Sequence, residues 1–194
     1  MEAIGISIFH SIAAFNNSGF DILGGLQNLI PYQNNLLLNL TTAGLIIFGG
    51  LGFLVILDIL KKRSFRALAL HSKVVIVMSA VLILLGTLLL KATENVTWLG
   101  AFFQSVSART AGFSTYPIGS FTDAGLFVLI LLMFVGASPG STGGGIKTTT
   151  LFALLQATRS AATGRMPTAF RRTVAGEVVQ KAFIVTLLSA FVVC

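Results

Sequence analysis

Two stretches carry residue types that could do chemistry where the surrounding sequence is apolar. SVSARTAGFS at 105–114 is small, polar and charged, although runs long enough to cross a membrane flank it. Non-helical backbone at membrane depth must be buried in protein or line a water-filled path, because lipid satisfies none of its polar groups. The chemistry open to such a stretch is coordination. A turn of small residues can aim main-chain carbonyls at a desolvated cation, provided several such strands surround one axis. An echo lies upstream: FHSIAAFNNSGF at 9–20 aligns with FFQSVSARTAGF at 102–113 without a gap, and both copies end in Gly-Phe.

The second stretch is GASPGSTGGGIK at 136–147. It comes near the Gly-x-x-x-x-Gly-Lys-Ser/Thr pattern that cradles phosphates after a strand. Ile146 between Gly145 and Lys147 breaks that spacing, and the preceding segment is a membrane span, so nucleotide binding is excluded there. Proline removes a backbone donor and the glycines permit alternative backbone states, which fits a movable constriction. Lys147 places a charge near the path.

Arg109 has two possible roles. In a permeation path it would repel cations; behind the turn it would anchor it, paired with a carboxylate or backbone carbonyls, and the anchor is the preferred reading. His10 could hydrogen-bond its own turn, and His71 belongs to a basic run. The six carboxylates are scattered and form no catalytic pair, so an enzyme is not expected. The single cysteine, Cys194, offers neither a disulfide framework nor a metal cluster.

These stretches need elements to hold them. Hydrophobic residues make up 55% of the chain and charged residues 10%, with a mean hydropathy of +0.91, against about a quarter charged in soluble domains. The fold class is therefore an all-α membrane protein. Residues 1–15 carry Ile4, Ile8, Ile12 and Phe15 at helical spacing but are too short to cross a core needing about 20 residues, so a half-spanning helix is expected. Residues 36–60 read as a full span, 74–90 as a second, 98–108 as another short helix that dips inward and returns, and 121–135 as a span that breaks at the glycine-rich loop. Helix resumes at 148–158, and a last span begins at Val174. Gly44, Gly49, Gly50 and Gly52 in the first span read as packing surfaces. Asp58, just before Lys61 and Lys62, reads as an interfacial ion pair.

The net charge of +7 does not point to nucleic acid. Lys61, Lys62, Arg63, Arg66 and Lys73 cluster between two apolar runs, and Arg159, Arg165, Arg171, Arg172 and Lys181 lie between two others, which is the positive-inside pattern. The segments at 61–73 and 159–173 are thus expected in the cytoplasm. Short outer loops with interfacial helices would explain the polarity of the two turns but not their gapless echo.

AFNNSGFD at 14–21, SARTAGFS at 107–114 and GASPGSTGGGIKT at 136–148 resemble the Trk/Ktr/HKT superfamily of cation transporters, most closely the Ktr-type pore-forming membrane subunit. The resemblance implies a K+-channel-like pore of fourfold pseudo-symmetry, in which each span, pore helix, span unit gives one filter strand with a single glycine. On this match 1–60 is the second unit without its first span, 74–158 the third, and 174–194 the start of a fourth, so the chain is expected to be a fragment. Gly19 and Gly112 become the filter glycines, with Asn17, Ser18, Thr110 and Ala111 offering neighbouring carbonyls to K+ and Arg109 as filter support. Gly136, Gly140, Gly143, Gly144, Gly145 and Lys147 become the gating loop. The resemblance further implies K+ uptake at the plasma membrane by a multi-pass homodimer on a cytosolic nucleotide-binding regulatory subunit, Na+ dependence in some members, no organic cofactor in this chain, and lipid as its surroundings. A non-transporting membrane scaffold, or two copies of the chain completing a four-strand pore, are the alternatives.

Overall fold

The computed structural model describes residues 2–25, 27–164, 166, 168–170, 172–173 and 175–193. Arg165 and Arg171 of the second basic segment, Val174 at the expected start of the last span, and Cys194 lie outside them.

Eight helices carry the described architecture. α1 (Glu2–Phe15) is the expected short helix and stops at Asn16, Asn17 and Ser18. α2 (Leu36–Leu51) opens at Asn35, whose side chain accepts from the Leu38 amide at 3.0 Å, satisfying one of the donors that every helix start leaves free. The expected single span at 36–60 is not continuous. At Gly52 the chain bends by 97° into α3 (Phe53–Lys62). Gly52 takes φ 89° and ψ 145°, a region closed to side-chain-bearing residues, so glycine is what permits the break.

α4 (Leu70–Thr93) is the one described helix long and apolar enough to cross a membrane by itself; α2 and α3 meet that test only as a bent pair. α5 (Trp98–Ala108) and α6 (Asp123–Phe134) each start on a threonine cap, Thr97 to the Gly100 amide and Thr122 to the Gly125 amide, both at 3.1 Å. Residues 135–147 carry no regular structure, and α7 (Thr148–Thr163) resumes after them. The second basic segment is less loop-like than expected: α7 runs through Thr163, and β1 (Thr168–Ala169) pairs antiparallel with β2 (Arg172–Thr173). α8 (Gly176–Val193) closes the chain.

α4 packs on α5, α6 and α7, and α2 packs on both α1 and α5. One cluster joins Ala13, Ala14, Ile46, Ile83, Phe103 and Phe113, so both short helices are gripped by longer ones. A second joins Leu90, Ala101, Val128 and Leu132 where α4, α5 and α6 meet. Asp58 forms the expected ion pair, with Lys62 at 2.9 Å, and also accepts from the Ala69 amide and the Ser72 hydroxyl at 2.8 and 2.7 Å. The end of α3 is thereby tied to the start of α4.

Candidate ion-coordinating turns and the loop beneath them

α1 and α5 end at Phe15 and Ala108, immediately before the two polar turns. A helix C-terminus carries the negative end of the macrodipole, so each short helix aims partial negative charge at its own turn. The turns share one backbone pattern at positions matched by the sequence echo. Asn17 and Gly19 have φ of 52° and 69°; Thr110 and Gly112 both have 85°. Ser18 and Ala111 between them are not left-handed. Alternating hands along a strand swing successive carbonyls toward one side, the arrangement a carbonyl-lined coordination site requires. Positive φ at a β-branched residue such as Thr110 persists only where the surroundings enforce it.

The tertiary fold brings the turns side by side. A Cβ on Gly19 would lie 2.6 Å from the Ala111 carbonyl oxygen, and one on Gly112 would lie 3.5 Å from the Gly19 Cα. Ser18 and Gly112 are exposed, while Asn17 and Ala111 are buried. Behind the second turn, the Ala111 and Gly112 amides donate to the Ser107 carbonyl at 3.0 and 3.2 Å, the Ser107 hydroxyl to the Phe113 carbonyl at 2.5 Å, and Gln104 Nε2 to Ser114 Oγ at 2.8 Å. Asn28 reaches across from the first repeat: its Oδ1 accepts from the Ser114 amide at 3.2 Å. Behind the first turn, the Ser18 amide and hydroxyl both donate to the Ala13 carbonyl at 3.1 Å.

The glycine-rich loop sits against these turns. Thr142 Oγ1 accepts from Asn17 Nδ2 at 2.8 Å and donates to the Phe15 carbonyl at 3.0 Å. A Cβ on Gly143 would meet Ala137 Cβ and Thr110 Oγ1 at 2.5 Å each. Gly136 and Gly145 lie backbone to backbone, with the Ala137 amide donating to the Gly144 carbonyl at 3.1 Å. Gly140 takes φ 70° and presents its carbonyl to the Phe53 amide at 3.1 Å. Lys147 is half-buried and folds back on the loop, its Nζ donating to the Gly143 carbonyl at 2.8 Å.

Two expectations are corrected here. Arg109 is 8% exposed at the end of α5, yet its Nε and Nη1 have no hydrogen-bond partner among the described residues, and no carboxylate pairs with it. His10 does not bond its own turn; its Nε2 is 2.8 Å from Thr42 Oγ1 on α2, and its ring packs edge-on against Phe113 at 5.1 Å. Helical spacing explains why, since His10 lies more than a turn before the end of α1. Thr142, Asn28 and Gln104 were not singled out from sequence. A hydroxyl between glycines at membrane depth is the signal Thr142 offered; Asn28 offered none, because its partner is 86 residues away. Among the described residues no group of His, Cys, Asp and Glu side chains could hold a metal ion.

Short helices ending in polar turns, gripped between longer apolar helices, define an all-α membrane protein. The chain belongs to the TrkH family of cation transport proteins, whose model matches residues 2–75 and 68–194. These are ion transporters, not enzymes. The chain is 38% identical to Ktr system potassium uptake protein B of Vibrio alginolyticus over 94% of its length, and 38% identical to the potassium/sodium uptake protein NtpJ of Enterococcus hirae over 96%. It covers 43% and 44% of those proteins, so it spans less than half of each. The crystal structure of the potassium transporter TrkH from Vibrio parahaemolyticus superposes with a TM-score of 0.72 at 23% identity, over 97% of this chain and 44% of that one, which establishes the shared fold.

Proposed function

We propose that these residues are the central part of a K+ uptake protein of the plasma membrane, conducting through a carbonyl-lined filter to which the chain contributes two strands. Asn17, Ser18 and Gly19 form one strand, and Thr110, Ala111 and Gly112 the other. The loop at 136–147, with Gly136, Gly140, Gly143, Gly144, Gly145 and Lys147, is the gate, and Arg109 supports the filter. Residues 1–60 and 74–158 are the second and third pore units, joined by a cytoplasmic segment at 61–73; 159–173 is the next cytoplasmic segment and 174–194 opens the fourth. The observation that carries the reading is the matched alternation of backbone hand in two turns that lie against each other.

The relatives' names support K+ as the cargo, and NtpJ's adds Na+ as a second. A homodimer with a cytosolic nucleotide-binding regulatory subunit completes the proposal, since the basic segment around Lys61 to Lys73 offers a charged cytoplasmic face. Expression of the full-length protein in cells lacking K+ uptake tests it. Rescue of growth at low K+ is expected, with Gly112→Ser abolishing K+ over Na+ preference. Unchanged preference in that variant would remove the filter assignment.

A further inference from the structure

We infer that Gly52 is a hinge coupled to the loop at 135–147, because a straight α2–α3 and a docked loop compete for the same main-chain groups. In a continuous helix the carbonyls of Gly49 and Gly50 accept from the amides of Phe53 and Leu54, four residues on. In the structure Gly49 O accepts instead from the Thr142 amide at 3.3 Å and Gly50 O from the Ser138 amide at 3.1 Å. The Phe53 amide, which a straight helix would spend on Gly49, goes to the Gly140 carbonyl at 3.1 Å. Each element satisfies the groups that the break in the other leaves free.

The exchange has two end states and a poor middle. Where water does not reach, a loop that lifts away leaves Gly49 O, Gly50 O and Phe53 N without partners unless the helix closes over the break. Coupling through a two-state element of this kind needs no further pathway. Gly52 is what permits the bent state: its φ of 89° excludes a side chain, and a Cβ there would lie 2.7 Å from the Pro139 carbonyl oxygen. The far end of α3 is tied through Asp58 to Ala69 and Ser72, so straightening moves the cytoplasmic connection as well. Straight helix corresponds to a released loop. The consequence for transport rests on the gate assignment proposed above; the hinge does not.

The test uses the full-length protein in liposomes, with native cysteines replaced and spin labels at Leu40→Cys and Leu60→Cys, both exposed positions. Helix rise puts these sites about 30 Å apart in a straight helix and about 20 Å apart at the 97° bend. Gly52→Ala is expected to shift the distance toward the longer value and to raise K+ flux several-fold. Leu54→Pro should do the reverse: the Leu54 amide would bond the Gly50 carbonyl only in a continuous helix, whereas in the bent state that carbonyl is taken by Ser138 and proline is tolerated in the first turn of α3. Gly44→Ala, with nothing within 4 Å of an added Cβ, is the control that leaves both readouts unchanged. An unchanged distance in Gly52→Ala, or a longer one in Leu54→Pro, overturns the hinge. Absence of K+ flux from every variant and from the wild type would instead defeat the transport proposal, and the distances would still decide the hinge.

Discussion

The side-chain amide of Asn17 donates to the hydroxyl of Thr142 at 2.8 Å, across 125 residues of chain. Thr142 passes the contact on to the Phe15 carbonyl at the end of α1 at 3.0 Å, so one hydroxyl joins the first polar turn to the glycine-rich loop. Thr142→Val keeps the shape and removes both bonds, leaving the Asn17 amide, on a residue 8% exposed, without its best acceptor. The expected loss is about 1–3 kcal/mol of local stability. Hydrogen exchange at the amides of residues 140–144 should accelerate in Thr142→Val and stay near the wild-type rate in Thr142→Ser.

Gly19 and Gly112 occupy equivalent turns but should not respond equally to alanine. Both have positive φ, which costs an L-residue about 1–2 kcal/mol. At Gly19 the added methyl also meets the Ala111 carbonyl oxygen at 2.6 Å, whereas at Gly112 the nearest atom is at 3.5 Å. Gly19→Ala is therefore expected to lower the thermal unfolding midpoint in detergent further than Gly112→Ala. Equal shifts would show that the turns are not packed against each other.

Glu94 is 9% exposed and accepts from both the amide and the hydroxyl of Thr122, at 2.9 and 2.6 Å, which fixes the entry to α6. Glu94→Ala strands both donors at a helix start and should destabilise by about 1–3 kcal/mol. Glu94→Gln retains an acceptor oxygen and should lose less. Thermal unfolding of the two variants side by side checks the order.

Asp58 holds the connection between α3 and α4 through the Ala69 amide and the Ser72 hydroxyl. Its pairing with Lys62 is a partly exposed helical pair and adds little. Asp58→Asn should therefore loosen residues 63–69, read as faster protease cleavage there, while Lys62→Gln leaves cleavage nearly unchanged. If Lys62→Gln had the larger effect, the ion pair rather than the two hydrogen bonds would be the tie.

Much of this was legible because it is local. α5 at Trp98–Ala108, the short α1, and the interruption between α6 and α7 follow from apolar runs too short to cross and from Pro139 among glycines. The candidate turns were legible for the same reason: small polar residues between apolar runs mark themselves, and the echo between 9–20 and 102–113 marks them twice. The roles of individual side chains were less so. Arg109 was expected to find a partner and has none for Nε and Nη1 among the described residues, and His10 bonds Thr42 instead of its turn.

The sequence by itself determined the membrane class, the two short helices and the family motifs, since apolar run length and glycine or proline breaks act within a few positions of themselves. Only the tertiary structure decided that Gly19 meets Ala111 and Gly112, that Thr142 docks under Phe15 and Asn17, and that the span at 36–60 bends at Gly52. A packing glycine and a hinge glycine are the same residue in sequence, because both need only the absence of a Cβ. What separates them is whether a distant chain segment supplies partners for the carbonyls of Gly49 and Gly50, and that is fixed by topology.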